Sequence, residues 1–135
     1  MKKRILFLST MIILILNACK KEEVTTQEKI TARWKIQNIE GASVSGSTTT
    51  SSNYVGLPSD YIDFRTDNKI YSSVNGTVDT ASYAVSGNTI TVTPDPGDAP
   101  LVYEVKSVSN TDLQLYNRNT ISATAYTAIT VNLKK

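Results

Sequence analysis

The segment Tyr83-Ala84-Val85-Ser86-Gly87-Asn88-Thr89-Ile90-Thr91-Val92 decides the fold. Two short runs rich in β-branched and aromatic residues flank Ser86-Gly87-Asn88, a turn tripeptide, so the segment reads as a β-hairpin. Alternation places Ile90 and Val92 on one face of the second strand. The same pattern repeats outward. On the N-terminal side, strands are predicted at 77–85 and 69–74, joined by the hairpin dipeptide Asn75-Gly76, and at 61–65, where Ile62 and Phe64 share a face and Asp67-Asn68 turns the chain. Another is predicted at 32–40, with Trp34, Ile36 and then Asn38 on one side. On the C-terminal side they are predicted at 101–108, 112–118 and about 124–133; Leu101, Tyr103 and Val105 face together in the first and Leu113 and Leu115 in the second.

No helical periodicity of useful length separates these runs, so the sheet must be antiparallel. Eight strands at this length close most economically into an up-and-down barrel, which removes exposed edges; a two-sheet β-sandwich is the alternative. Pro94-Asp95-Pro96-Gly97-Asp98-Ala99-Pro100 has too few backbone donors for a strand. Gly41 to Asn53, with nine Ser, Thr or Asn among its thirteen residues, offers little to bury and is predicted to be a mobile loop, a solvated linker rather than a lid.

The chain of 135 residues has room for one domain. It contains no His and a single Cys. That excludes a Ser-His-Asp or Cys-His nucleophile, a His-ligated zinc site and an internal disulfide. The formal charge of +2 is too weak to indicate nucleic acid as a partner. No cofactor is implied.

The N-terminus reads as an export signal. Lys2-Lys3-Arg4 precedes a run from Ile5 to Leu16 that is apolar except for Ser9 and Thr10. The run is too short for a membrane span, which needs roughly 20 apolar residues. Leu16-Asn17-Ala18-Cys19 then resembles the bacterial lipobox, with a small residue before the Cys that becomes the acylated N-terminus. These residues divide the chain into a signal peptide at 1–18, a lipidated tether at 19–31 and a barrel domain at 32–135. Loss of the leader's three cations turns the formal +2 into −1. Lys20-Lys21-Glu22-Glu23 resembles the charged tags that follow the lipidated Cys in Bacteroidetes-type surface lipoproteins, or is a plain solvated linker. The expected location is the outer membrane, with the domain facing the periplasm or the cell surface.

Three blocks, Ala32-Arg33-Trp34-Lys35-Ile36, Tyr61-Ile62-Asp63-Phe64 and the hairpin 83–92, together with Ser107–Leu115, resemble in order and spacing the bacterial lipocalin-like domain. The resemblance implies an eight-stranded barrel able to hold side chains or one small ligand, and no catalysis. The family's first strand usually carries Gly-x-Trp; Ala32 stands at the Gly position and Trp34 at the Trp that plugs the closed end.

Candidate ligand-lining or core residues are Trp34, Phe64, Tyr83 and Tyr103. Tyr61, Tyr71 and Tyr116 fall on the opposite faces of their strands and could form an outer aromatic patch. Asp60, Asp63 and Asp67 are read as solvated surface rather than a catalytic pair. Asp95 and Asp98 supply too few oxygens for calcium, so no metal is assigned. Asp79-Thr80-Ala81 resembles the O-glycosylation acceptor of Bacteroidetes-type exported proteins, with Thr80 as the acceptor. Two functions remain in view: a non-catalytic lipid-anchored module that holds a small apolar or amphipathic ligand or an envelope partner, and a structural surface lipoprotein whose barrel is filled.

Overall fold

A computed structural model describes residues 24–94 and 98–135; the leader, Cys19, Lys20-Lys21-Glu22-Glu23 and Asp95 lie outside the described residues. The described part opens with a short helix, α1 (Thr26–Ile30), followed by β1 (Ala32–Ser45), β2 (Thr48–Val55), β3 (Tyr61–Phe64), β4 (Lys69–Val74) and β5 (Thr77–Ser86). Four more strands complete it: β6 (Thr89–Thr93), β7 (Leu101–Val108), β8 (Asp112–Ser122) and β9 (Ala125–Lys134). All pairings are antiparallel, and β1 pairs with β9 along Lys35–Ser45. That pairing closes β1 and β3 to β9 into an eight-stranded barrel, with β2 as one additional strand. The closure rules out the sandwich.

Turn chemistry sets the hairpins. Asn75 and Gly76 both have positive φ, 49° and 80°, the conformation of a two-residue turn whose twist matches the flanking strands. The inward set follows the alternation: Trp34, Ile36, Phe64, Ile70, Tyr83, Ile90, Val105, Leu113, Leu115, Val131 and Leu133 are buried in one core.

Two features depart from the sequence reading. The first is Gly41–Asn53, which is ordered strand: β1 runs on to Ser45 and β2 returns beside it, in register from Asn38↔Val55 to Ser45↔Thr48. Most β2 side chains are exposed, so no burial pattern marks the strand. Its order comes from a backbone ladder with β1, itself held by β9 on the other side. Ser and Thr suit this place, since an edge strand needs β-compatible residues and not apolar ones.

The second is a bulge in β1. The pairing with β9 steps from Ile36↔Leu133 to Asn38↔Asn132, leaving Gln37 unpaired. The extra residue inverts the alternation. Ile39, not Asn38, therefore continues the inner face of Trp34 and Ile36, and packs against the core.

β8 pairs with β7 only from Leu113 to Tyr116, then continues to Ser122 beside β9. Together with the upper halves of β1, β2 and β9 this forms a four-stranded wall that rises roughly 20 Å above the shorter strands.

Candidate functional site

The floor of the barrel is built first. α1 is only five residues long, and a full capping box at Thr25 and Glu28 secures its start. The Thr25 backbone N–H and then its hydroxyl donate to the Glu28 carboxylate, at 2.8 and 2.9 Å, and hold it below the ordinary carboxylate range. Gln27 donates to the Asn68 side chain at 3.0 Å and Thr26 to that of Asn88 at 3.2 Å, so the β3–β4 and β5–β6 turns clamp the helix across the barrel end. Ile30, which the sequence reading leaves in the tether, is fully buried. Its carbonyl accepts from the Trp34 indole N–H at 2.7 Å, which gives the ring's polar atom a partner. Lys135 lies over the same ring at 4.4 Å. Phe64 and Tyr83 meet edge to face at 5.3 Å, and the Tyr83 hydroxyl donates to the Arg65 carbonyl at 2.7 Å.

Above this floor lies a cavity of about 590 Å³, within the range of small-molecule pockets. Its wall is mainly aliphatic, with Ile39, Ile62, Ile70, Ile90, Val92 and Leu115 among the lining side chains. Polar groups are few: Ser72 and Tyr103 on the wall, and Asp79, Thr80 and Asp98 toward the mouth. Desolvation pushes the Tyr103 phenol above its ordinary pKa, so the hydroxyl stays neutral at physiological pH.

The four predicted aromatic positions thus separate by height. Phe64 and Tyr103 line the cavity, whereas Trp34 and Tyr83 belong to the closed end beneath it. Alternation tells inside from outside but carries no information about depth along the barrel axis. The aliphatic wall and Ala81, which also lines the cavity, have parity as their only sequence signal.

The carboxylates also separate. Asp60 is fully buried, contrary to its reading as solvated surface. It accepts from the Tyr54 hydroxyl, from the Leu57 N–H at 2.9 Å and from the Asn75 N–H at 3.0 Å, while its own carbonyl accepts from the Ile36 N–H at 3.2 Å. One side chain ties β2 and the Leu57–Asp60 turn to the β4–β5 turn. These donors, Tyr54 foremost, hold the Asp60 carboxyl below its ordinary value, and the hydrogen bond to that carboxylate raises the Tyr54 phenol. A carboxyl with a lowered folded pKa adds stability that is complete above its unfolded value and lost as pH falls through the folded one. The stability lost in Asp60→Asn is therefore expected to be full at pH 7 and to shrink below about pH 4. Urea titrations at pH 7 and pH 3 check this, and an equal loss at both would mean that the negative charge is irrelevant.

Asp63 and Asp67 occupy the outside. Asp63 lies between Arg33 at 3.8 Å and Arg65 at 3.3 Å, and Asp67 accepts from the Lys69 N–H at 3.0 Å. The outer tyrosines do not form a bare aromatic patch: Arg33 stacks on Tyr61 at 3.8 Å, Arg65 on Tyr71 at 4.1 Å, and Lys106 lies over Tyr116 at 4.9 Å. Thr80 is exposed and registers opposite Tyr71. Among the described residues, no three His, Cys, Asp or Glu side chains gather into a metal-binding group.

A search of curated proteins and of solved structures finds no match. The family model of the lipocalin-like domain matches residues 30–115. The match begins at Ile30, whose side chain is buried in the floor and whose carbonyl holds Trp34, and runs through the hairpins that enclose the cavity to Leu115 on its wall. By sequence family and by a closed barrel with a plugged floor and an open apolar cup, this chain belongs to the lipocalin-like domain family.

Proposed function

We propose that this protein holds one small apolar or amphipathic molecule in its barrel without altering it chemically, and does so at the bacterial cell envelope while anchored through acylated Cys19. The observation that carries the binding reading is the aliphatic cavity of about 590 Å³ above a floor already filled by Ile30, Trp34 and Tyr83. A filled barrel serving a purely structural lipoprotein would leave no such cup. A catalytic role has no support in a chain without His, where the buried carboxylate, Asp60, is committed to a structural network.

Ala81→Trp tests the binding reading by placing an indole into the cup. The expected outcome is an unchanged fold by circular dichroism and at least tenfold weaker uptake of an environment-sensitive fatty-chain fluorophore. Native mass spectrometry of the wild-type protein, released gently from membranes, is expected to show a bound small molecule that the variant lacks. Unaltered uptake by a folded variant would argue for the structural alternative.

The anchoring part rests on the lipobox resemblance and the charged run after it. Burial of acyl chains contributes about 0.8 kcal/mol per methylene, so two or more chains give stable attachment. Cys19→Ser is expected to abolish incorporation of a clickable fatty acid and to move the protein from the membrane to the soluble fraction; labelling of the variant would refute acylation at Cys19. Outer-membrane residence, with the domain facing the periplasm or the cell surface, belongs to the same proposal. So does glycosylation of Thr80, which is exposed near the cavity mouth.

A further inference from the structure

We infer that the cavity selects amphiphiles with a cationic head group and discriminates against fatty-acid anions, because Asp79 and Asp98 occupy the sector of the rim through which a ligand's polar end must project. The inference rests on the binding reading above and adds the sign of the ligand's charge.

The lining contains two carboxylates and, among the described residues, neither Lys nor Arg; the chain has no His. Both carboxylates line the cavity, one on β5 and one in the stretch between β6 and β7. Asp79 stands near the start of β5, whose partner β6 leads through Thr93 and Pro94 into the connection that bears Asp98. Neither belongs to an ion pair among the described residues; the acidic members of those pairs are Asp63 and Glu104. Among the described residues, no Lys or Arg stands within ion-pairing distance of either carboxylate. Tyr103, two residues beyond Leu101, lines the same cavity.

The deeper wall cannot take a charge. Ile39, Ile62, Ile70, Ile90 and Leu115 offer no hydrogen bonds, and burying an unpaired ion costs far more than the tail gains. An amphiphile must enter tail first and leave its head at the lip, where the two carboxylates set the local potential. A carboxylate-bearing ligand would need a basic partner there, and the lining supplies none. For a charge roughly 6 Å from each Asp in a water-like medium at about 0.1 M salt, the screened Coulomb interaction favours an ammonium over a carboxylate head by about tenfold, and by only about twofold at 1 M salt.

The test uses three probes with the same tail, lauryltrimethylammonium, laurate and lauryl alcohol, each below its micelle concentration, titrated calorimetrically into the wild-type protein and Asp79→Asn/Asp98→Asn. Both substituted positions are exposed, so the variant is expected to fold, and its thermal midpoint is checked first. The expected result is an affinity order of ammonium, alcohol, carboxylate, about tenfold from first to last, lost in the double variant and compressed at 1 M salt. Equal binding of the charged probes, the reverse order, or a preference that survives in the double variant would overturn the inference and leave the binding reading intact. Failure of all three probes to bind would overturn both.

Discussion

Trp34→Ala is expected to lower stability by about 3–5 kcal/mol, the range for truncating a buried aromatic side chain. In a domain whose total is about 5–15 kcal/mol, such a loss can leave a substantial unfolded population at ambient temperature. Trp34 is fully buried, and its indole supplies the donor for the Ile30 carbonyl. Truncation therefore opens a cavity and removes a hydrogen bond from the joint between α1 and the barrel. Trp34→Phe separates the contributions: it retains much of the volume, loses the N–H, and is expected to fall between alanine and wild type. Denaturant midpoints for the three proteins provide the measurement. Equal midpoints for alanine and wild type would contradict the burial of Trp34 and the packing of the floor.

Gly56→Ala is expected to be nearly as damaging, although it adds only a methyl group. A Cβ at this position would lie 2.0 Å from the Ile36 carbonyl oxygen and 2.7 Å from its carbon. The Gly56 N–H donates to the Gln37 carbonyl at 2.9 Å, so the chain after β2 is held directly against the β1 bulge. Both sides of the clash are backbone and neither can swing away. A loss of about 3 kcal/mol, the upper part of the overpacking range, is expected. Gly46→Ala is the control. Gly46 has a φ of 59° with open space around its Cβ position, so its replacement should cost only the left-handed penalty of about 1–2 kcal/mol. If the two variants lose similar stability, the close approach at Gly56 is not the restraint described.

The legible part of this fold is the part governed by alternation. The pattern around Ile90, Val92, Leu113 and Leu115 predicts both the strands and their inner faces, because each strand separates core from solvent. β2 lacks that contrast: Thr48 to Asn53 are exposed on either face, and the strand exists because β1 offers it a backbone ladder. Composition cannot reveal such a ladder. Asp60 fails to stand out for a similar reason, since its three donors come from positions 54, 57 and 75 and meet only after folding. Of the cavity, the inward parity of Phe64 and Tyr103 is legible, whereas the level at which packing stops and open space begins depends on how α1 and Trp34 fill the base.

The pairing of β1 with β9 also constrains the order of events during synthesis. Ile36 meets Leu133 and Ser45 meets Ala125, contacts between nearly opposite ends of the chain. Hairpins from β3 to β8 can form as they emerge, but the cylinder has no second edge to seal until the final strand has left the ribosome. Contacts of such long sequence separation slow folding, because chain entropy is lost before they form. A nascent polypeptide stalled before Ala125 would carry an open sheet, with β1 and β8 bare along the edges they later share with β9. Truncations upstream of this point should thus behave as aggregation-prone fragments rather than as smaller barrels.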